Sequence, residues 1–306
     1  MTAIFTPSDD LRHRAPGGGR MRDSLFWNLI MPEEELGMQV YTFVNHRGRA
    51  GYNVCIWGSG EPVVLQHLGQ VGPDADFDDW DLAGLQVRQP ELRRTASVRF
   101  EGDDVALEYE FEALHEAFSY RQNPGGLPPW FAQNRFEQAG RVRGVLSVRG
   151  RTIEFDRIAH RDHSWGTRDW GAPQHWKWLL AHTPSGRALN AFVWMARGEW
   201  GFNGYVLRDG RPVAIDRFVR QHAEYDDDMN HTSLVAEILD VEGETTALTL
   251  DSFGLVKMPH DDKMDTIIME AGCISTIDGE EGGGQFETHW PIGYLQHLSA
   301  AKKQRS

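Results

Sequence analysis

Runs of alternating apolar and polar residues recur along this chain, and turns rich in glycine or aspartate separate them. The clearest run spans residues 105–112, where Val, Leu, Tyr and Phe alternate with one Ala and three Glu residues. A period of two predicts a strand with one face toward a core and the other toward water. Further strands are predicted over 52–57, 141–149, 152–158, 175–182, 187–196 and 202–207, whereas residues 294–302 show the most convincing helical period. The sequence therefore predicts an all-β protein of antiparallel strands, arranged as a sandwich or a barrel.

One irregular stretch divides this series of strands. Residues 121–134 contain three prolines and two glycines, which is typical of a loop or a linker. The parts on either side, of roughly 130 and 170 residues, are each long enough for a barrel of about eight to ten strands. We therefore predict a flexible N-terminal arm over residues 1–20, a first barrel domain over 21–138 and a second over 139–306.

The composition argues against several classes of protein. The 31 Lys and Arg residues against 45 Asp and Glu residues give a net charge of −14, which disfavours a nucleic-acid partner. The two cysteines, Cys55 and Cys273, are too few for a disulfide framework or a cysteine-rich zinc site. No apolar run reaches the roughly 18–20 residues of a membrane-spanning helix, and the first twenty residues lack the apolar core of a signal peptide. We expect a cytoplasmic protein, a monomer or a homodimer, that has no nucleic-acid partner and does not span a membrane.

Residues 160–170 hold the densest group of side chains that transfer protons or bind anions. His160, Asp162 and His163 supply one acid and two potential bases. Arg161 and Arg168 can keep a carboxylate charged or bind an anionic part of a substrate. The same residues also suit a purely structural cluster, in which Asp162 pairs with an arginine and His163 donates to a carbonyl. The sequence leaves both interpretations open.

Aromatic residues concentrate after this segment. Trp176 and Trp178 lie two residues apart and share one face of a predicted strand, and Phe192 and Trp194 do the same. Such faces stabilise a carbocation by cation–π attraction, worth about 2 kcal/mol when desolvated, although ordinary barrel core is the other interpretation. The predicted substrate-binding residues are Arg161, Arg168, Trp170, Trp176, Trp178, Phe192 and Trp194.

The pentad Asp162-His163-Ser164-Trp165-Gly166 follows a glycine-centred hairpin. It resembles the Asp-His-x-Trp-Gly signature of carotenoid 1,2-hydratase-like proteins, and the run 135–142 is similar to the lead-in of an uncharacterised branch of that group. The resemblance covers about residues 35–295 and implies two tandem lipocalin-like (calycin) antiparallel β-barrels. It also implies a site without a cofactor, in which an acid protonates an isolated double bond of a long apolar substrate and water adds to the cation. Related tandem-lipocalin proteins are similar to tocopherol cyclases and to fungal cyclases that fold polyenes.

Within this resemblance, His163 and Trp165 match the His and Trp of the signature. The family's Tyr-x-Asp pair on a following strand is missing, because residues 188–194 contain neither tyrosine nor an acid. We therefore predict Asp162 as the acid, His163 as its partner and Trp165 as a wall or donor. The predicted function is a cofactor-independent hydratase or dehydratase, isomerase or cyclase for an isoprenoid- or steroid-like molecule. The alternative is a non-catalytic carrier of an apolar ligand.

A metal site is a further alternative. His160, Asp162, His163, His175 and His182 are residue types that bind transition metals. Their spacing is not a recognised ligand pattern, so we predict neither a metal nor a cofactor. His289-Trp290 is a secondary candidate, because a terminal strand can return to close a barrel mouth.

Overall fold

Two antiparallel β-sheets make up most of the protein, and the all-β prediction is confirmed. The structure is a computed structural model that describes residues 5–14, 20–58, 60–261 and 265–304. The first sheet consists of β1 (Arg22–Met31), β2 (Leu36–Asn45), β3 (Arg49–Gly58), β4 (Val63–Gln70), β5 (Asp79–Leu82), β6 (Leu85–Glu91), β7 (Thr95–Glu101), β8 (Val105–Ala113), β9 (Phe118–Ser119), β10 (Asn134–Val148) and β11 (Arg151–Gly166).

The first sheet is barrel-like and has two edges. Its strand order is β4-β3-β2-β1-β11-β10-β8-β7-β6-β5, and β9 pairs with β10. Because side chains alternate along a strand, Leu25, Trp27 and Leu29 of β1 point into one apolar core with Val98, Leu107 and other buried residues. Phe26 points the opposite way and packs with aromatic residues of the second sheet. The outer face of β1 is therefore buried as well.

The second sheet is a closed barrel of eight strands. It consists of β12 (Pro173–His182), β13 (Ala188–Ala196), β14 (Glu199–Arg208), β15 (Arg211–Tyr225), β16 (His231–Asp240), β17 (Thr245–Asp261), β18 (Thr266–Ile277) and β19 (Glu280–Pro291). Its interior is filled by apolar side chains such as Leu179, Ile238 and Phe286. The helix α1 (Ile292–Lys303) follows, which confirms the predicted helical segment. Within the described residues, no helix is long and apolar enough to cross a membrane.

The chain passes from the first sheet to the second between Gly166 and Pro173. The boundary predicted near residue 138 falls instead inside β10, which pairs with β11 along its whole length. The pentad consequently ends the first sheet and does not belong to the second. Gly166 has φ +121°, and a Cβ there would lie 2.4 Å from the backbone nitrogen of Gln133. Only glycine fits this turn without strain.

The proline-rich stretch over residues 121–134 is not a linker between the two sheets. It is irregular, as predicted, but it connects two strands of the first sheet. Its Phe131 ring stacks on Phe192 of β13 at 4.8 Å, and Trp130 contacts Trp176 of β12. The stretch is therefore an aromatic layer between the two sheets.

The predicted flexible arm is also packed where it is described. Residues 1–4 and 15–19 lie outside the described residues, but Phe5 is buried against Phe136 and Trp165. Residues Pro7–Asp10 form a 3₁₀ turn, and Asp10 is fully buried. The expectation of flexibility is therefore wrong for residues 5–14, because their apolar and acidic side chains find partners in the first sheet.

Candidate active site

A cavity of about 790 Å³ lies between the two sheets. One wall comes from the outer faces of β1, β2, β3 and β11, and the other from the outer faces of β12, β13, β18 and β19. Both barrel interiors are instead filled with apolar side chains. Ligand pockets form preferentially at such interfaces between domains.

Strand β11 presents its residues to this cavity in alternation. Asp162 and Ser164 line the cavity. Arg161, His163 and Trp165 point to the opposite face of the same strand, because successive side chains of a strand alternate in direction. These three were predicted to act on the substrate, and that prediction is wrong for direct contact with this cavity.

Arg161 is enclosed by a complete set of partners on the opposite face. Its guanidinium donates to both carboxylate oxygens of Asp10, at 3.2 and 3.0 Å, and to Gln89 at 2.8 Å. Its Nε donates to Gln138 at 2.9 Å. Arg161 therefore fixes residues 5–14 to the first sheet.

His163 belongs to a second buried cluster on that face. Its Nε2 lies 2.6 Å from Oδ1 of Asp23, and Nδ1 of His13 lies 3.2 Å from Oδ2 of the same carboxylate. The His13 ring stacks on Trp165 at 3.8 Å. Burial raises the pKa of Asp23, but His163 and His13 hold it below its ordinary value. The cluster is a carboxylate shared by two imidazoles.

This cluster is also where the described residues could best hold a metal. The ligand atoms of His13, Asp23 and His163 all lie within 4.8 Å of one another. The five residues of the metal alternative lie instead in separate places, except that the His160 and His182 rings are 5.8 Å apart. His163 faces away from His160, and His175 contacts Trp290 and the carbonyl of His289. The predicted group does not form one site.

On the cavity face, Asp162 shares an arginine with another carboxylate. Arg135 of β10 donates from Nη2 to Asp162 at 2.9 Å and from Nε to Glu137 at 2.5 Å. Burial raises the pKa of Asp162 to about 7, with Arg135 opposing the rise and Glu137 adding to it. Asp162 is therefore partly protonated near neutral pH.

Glu137 and His160 complete this network behind the cavity wall. His160 Nε2 lies 2.7 Å from Glu137, and both side chains are fully buried. Burial, with help from Arg135 and Arg161, lowers the pKa of His160 well below its ordinary value. His160 is therefore neutral in its hydrogen bond with Glu137. Arg135 and Glu137 belong to the run 135–142 that resembles the family's lead-in, but that resemblance implies no role for them.

A pair of carboxyl groups lies on the barrel wall of the cavity. Glu270 of β18 and Glu287 of β19 are directly opposite each other in register, and both line the cavity. Gln285 donates to Glu270 at 2.8 Å, and the Trp176 indole donates to Glu287. Burial raises the pKa of both groups, and the nearby charge of Glu287 raises that of Glu270 further. The sequence analysis missed this pair, although Glu270 is an isolated acid in an apolar run.

Most of the predicted aromatic residues line the cavity. Trp170, Trp176, Trp178 and Phe192 do so, together with Arg168. Trp194 does not, because its indole donates to Asn203 at 3.0 Å and its ring packs against Trp130. The cavity thus combines a broad aromatic surface with buried acids and arginines.

Comparison with known proteins places this geometry in a family and a fold. A model of the family described as "Domain of unknown function (DUF7064)" matches residues 6–292. A search of curated proteins finds no match. Among solved structures, a protein described as AttH from Nitrosomonas europaea is 17% identical and has a TM-score of 0.64, with 95% of this chain and 98% of that chain covered.

Two further solved structures share the arrangement of the strands. CghA in complex with Sch210972 is 12% identical, with a TM-score of 0.62 and coverage of 89% of this chain and 88% of that chain. Kievitone hydratase from Nectria haematococca is 12% identical, with a TM-score of 0.52 and the same coverage of each chain. At these identities the likeness shows the fold alone. The protein has the tandem lipocalin-like fold of these structures, as the pentad's resemblance implied.

Proposed function

We propose that this chain, which belongs to the DUF7064 family, is a cofactor-independent acid–base enzyme. Its substrate is a small molecule with an isoprenoid- or steroid-like apolar body and a reactive double bond. The observation that carries the proposal is Asp162, a buried carboxyl in an aromatic cavity whose pKa is raised to about 7. A general acid works best when its pKa lies near the working pH.

The first step is donation of the Asp162 proton to one carbon of the double bond. Arg135 holds the carboxyl at 2.9 Å, so the carboxylate left behind remains paired. The rings of Trp176, Trp178 and Phe192 line the cavity and stabilise the positive charge on the substrate.

The facing carboxyl pair supplies the base. In a hydration, water attacks the cation while Glu287 accepts the proton that the water loses, because the raised pKa of Glu270 keeps that carboxyl protonated. One water is added in total, and Asp162 regains a proton from solvent as the pair releases one. In an isomerisation, the pair removes a proton from a neighbouring carbon instead. Two carboxyl groups in different surroundings are a recurrent way to divide acid and base roles.

The related structures support a small-molecule role for this fold. One of them is named a hydratase, and another holds the compound Sch210972. The residue roles proposed for this chain rest on its own cavity, because identities of 12% transfer no residue roles between proteins.

Asp162→Asn tests the proposal. Wild-type and variant proteins are incubated in deuterated water with a panel of isoprenoid and steroid alkenes, and deuterium incorporation is followed by mass spectrometry. We expect incorporation by the wild type and a loss of about 10²–10⁴-fold in the variant. Asp156→Asn is the matched control, because Asp156 lies on the same strand but is exposed and pairs with Arg141.

A carrier is the second candidate, and the absence of any acid over residues 188–194 favours it. Organic extracts of the purified proteins distinguish the two. A carrier retains the same unmodified compound in the wild type and in Asp162→Asn, and neither exchanges deuterium. That combination, or undiminished exchange by Asp162→Asn, excludes Asp162 as a catalytic acid.

A further inference from the structure

The end of the cavity beside Asp162 carries two arginines, Arg22 and Arg168, for which the described residues supply no carboxylate partner. Arg22 begins β1, and its Cα is paired in register with that of Gly166 at the end of β11. Arg168 follows two residues later, so both guanidinium groups reach the same end of the cavity. Among the described residues, neither forms an ion pair, whereas Arg135 pairs with Asp162 and Glu137.

The contacts of these two arginines leave hydrogen-bonding capacity unused. The Arg22 guanidinium lies 3.8 Å above the Phe43 ring and 5.4 Å from that of Tyr41. Arg168 donates to the hydroxyl groups of Ser24 and Ser164, which are uncharged. The Nε atoms of both arginines are buried and lack a hydrogen-bond partner among the described residues. Buried donors without partners are rare in folded proteins, because each carries a desolvation penalty.

The electrostatic field at this end of the cavity favours an anion. Burial lowers the pKa of Arg168, the charges of Arg22 and Arg135 lower it further, and Tyr41 and Asp162 oppose the fall without reversing it. The phenol of Tyr41 responds in the opposite sense, since burial raises its pKa but Arg22 and Arg168 bring it below its ordinary value. Two like charges in a buried site are destabilising until an opposite charge joins them.

We propose that Arg22 and Arg168 form a subsite for a carboxylate group of an otherwise apolar molecule. A guanidinium presents a planar fork of donors that matches a carboxylate. With the carboxylate at this end, the apolar body lies along Trp176, Trp178 and Phe192, and the bound molecule passes Asp162. This inference rests on the proposed function for the identity of the ligand as substrate, and it narrows the substrate class to apolar carboxylic acids.

The test compares two probes that differ only in charge. These are 1-pyrenebutyrate and its neutral analogue 1-pyrenebutanamide, each titrated into the full chain and followed by pyrene fluorescence. We expect the wild type to bind the carboxylate about tenfold more tightly or better, since hydrogen bonds to charged groups contribute that much. In Arg22→Gln/Arg168→Gln the ratio should fall to about one, while affinity for the amide changes less than about twofold.

Two further variants control for charge and folding. Arg220→Gln removes an arginine from the exposed surface of β15, where it pairs with Glu237, and should leave the ratio unchanged. Arg168→Lys keeps the charge and should retain part of the preference, which provides a readout if the glutamine variant does not fold. Equal affinity of the wild type for both probes, binding of neither, or an undiminished preference in the double variant overturns the proposal.

Asp162→Asn separates this proposal from the proposed function. It should bind the carboxylate probe at least as tightly as the wild type, because a nearby negative charge has been removed, even though deuterium exchange is lost. A wild type that exchanges deuterium but does not prefer the carboxylate overturns the subsite alone. One that prefers the carboxylate but exchanges nothing overturns the acid–base function alone.

Discussion

The two faces of β11 are both buried and both ionic, yet their charges are partnered differently. On the face toward residues 5–14, Arg161 is matched by Asp10, and Asp23 is matched by His163 and His13. On the cavity face, Asp162 and Glu137 share the single guanidinium of Arg135. Complete pairing stabilises a fold, whereas incomplete pairing beside a cavity perturbs pKa values in the way that reactive sites require.

This difference accounts for the two interpretations that residues 160–170 allowed. The structural interpretation describes Arg161, His163 and Trp165, which fasten residues 5–14 to the first sheet. The proposed chemistry concerns Asp162. It is adjacent in sequence to Arg161 and His163, but its side chain lies on the other face of the strand. Strand geometry divides a motif that is continuous in sequence into two separate sites.

The largest expected effect is a difference in the free energy of unfolding between variants of two arginines, Arg161 on the face toward residues 5–14 and Arg168 at the cavity. Arg161→Leu leaves Asp10 buried without its cation, and we expect the free energy of unfolding to fall by about 3–5 kcal/mol. Arg168→Leu removes a half-buried cation that has no carboxylate within ion-pair distance among the described residues, and should change the free energy of unfolding by less than about 1 kcal/mol. Urea unfolding of both variants at one pH measures the difference. Equal losses in the two variants would show that partnering does not distinguish the faces.

The sequence predicted the strands better than it predicted their grouping into sheets. The run 105–112 became β8 (Val105–Ala113), and the hairpin turn at Arg149-Gly150 joins β10 to β11. The boundary was misplaced because prolines and glycines reveal where regular backbone stops. They do not reveal which sheet the next strand joins, and that pairing depends on residues far away in the chain.

The second expected effect is a pH dependence carried by Asp162. Its pKa is about 7 in the folded protein against an ordinary value of 3.8, with burial as the main cause. The folded state therefore binds more protons between these values. The stabilisation that the protonated Asp162 contributes to the folded state is complete below pH 3.8 and is lost as the pH rises through about 7.

Wild type and Asp162→Asn measured together isolate this dependence. Each unit of pKa difference is worth about 1.4 kcal/mol, so the stability of the wild type relative to the variant should decline by a few kcal/mol across this range and then level off. The comparison also cancels the buried histidines, such as His160 and His182, whose lowered pKa values destabilise the protein in acid. Parallel pH profiles for the two proteins would mean that folding leaves the pKa of Asp162 at its ordinary value.

The cavity was only partly predictable from local sequence. Trp176 and Trp178 share a strand face by spacing alone, and both line the cavity. Adjacent residues of a strand face opposite ways, so the strand separates Asp162 from His163, but the motif was interpreted as one unit. Arg22, Glu270 and Glu287 come from strands at both ends of the chain, and only the packing of one sheet against the other brings them to the cavity.

The smallest expected effect depends on the protonation states of two carboxyl groups, Glu270 in the cavity and Asp23 on the face of β11 that points away from it. The raised pKa of Glu270 keeps it neutral, so Glu270→Gln replaces an acid with a group of the same shape and charge. We expect the free energy of unfolding to change by less than about 1 kcal/mol. Asp23 is ionised between two histidines, so Asp23→Asn should cost about 1.5–3 kcal/mol in lost charge-assisted hydrogen bonds. Thermal and urea unfolding near pH 6 provide both values. A larger loss from Glu270→Gln than from Asp23→Asn would reverse the assignment, because it would make the cavity carboxyl the ionised and fully partnered one.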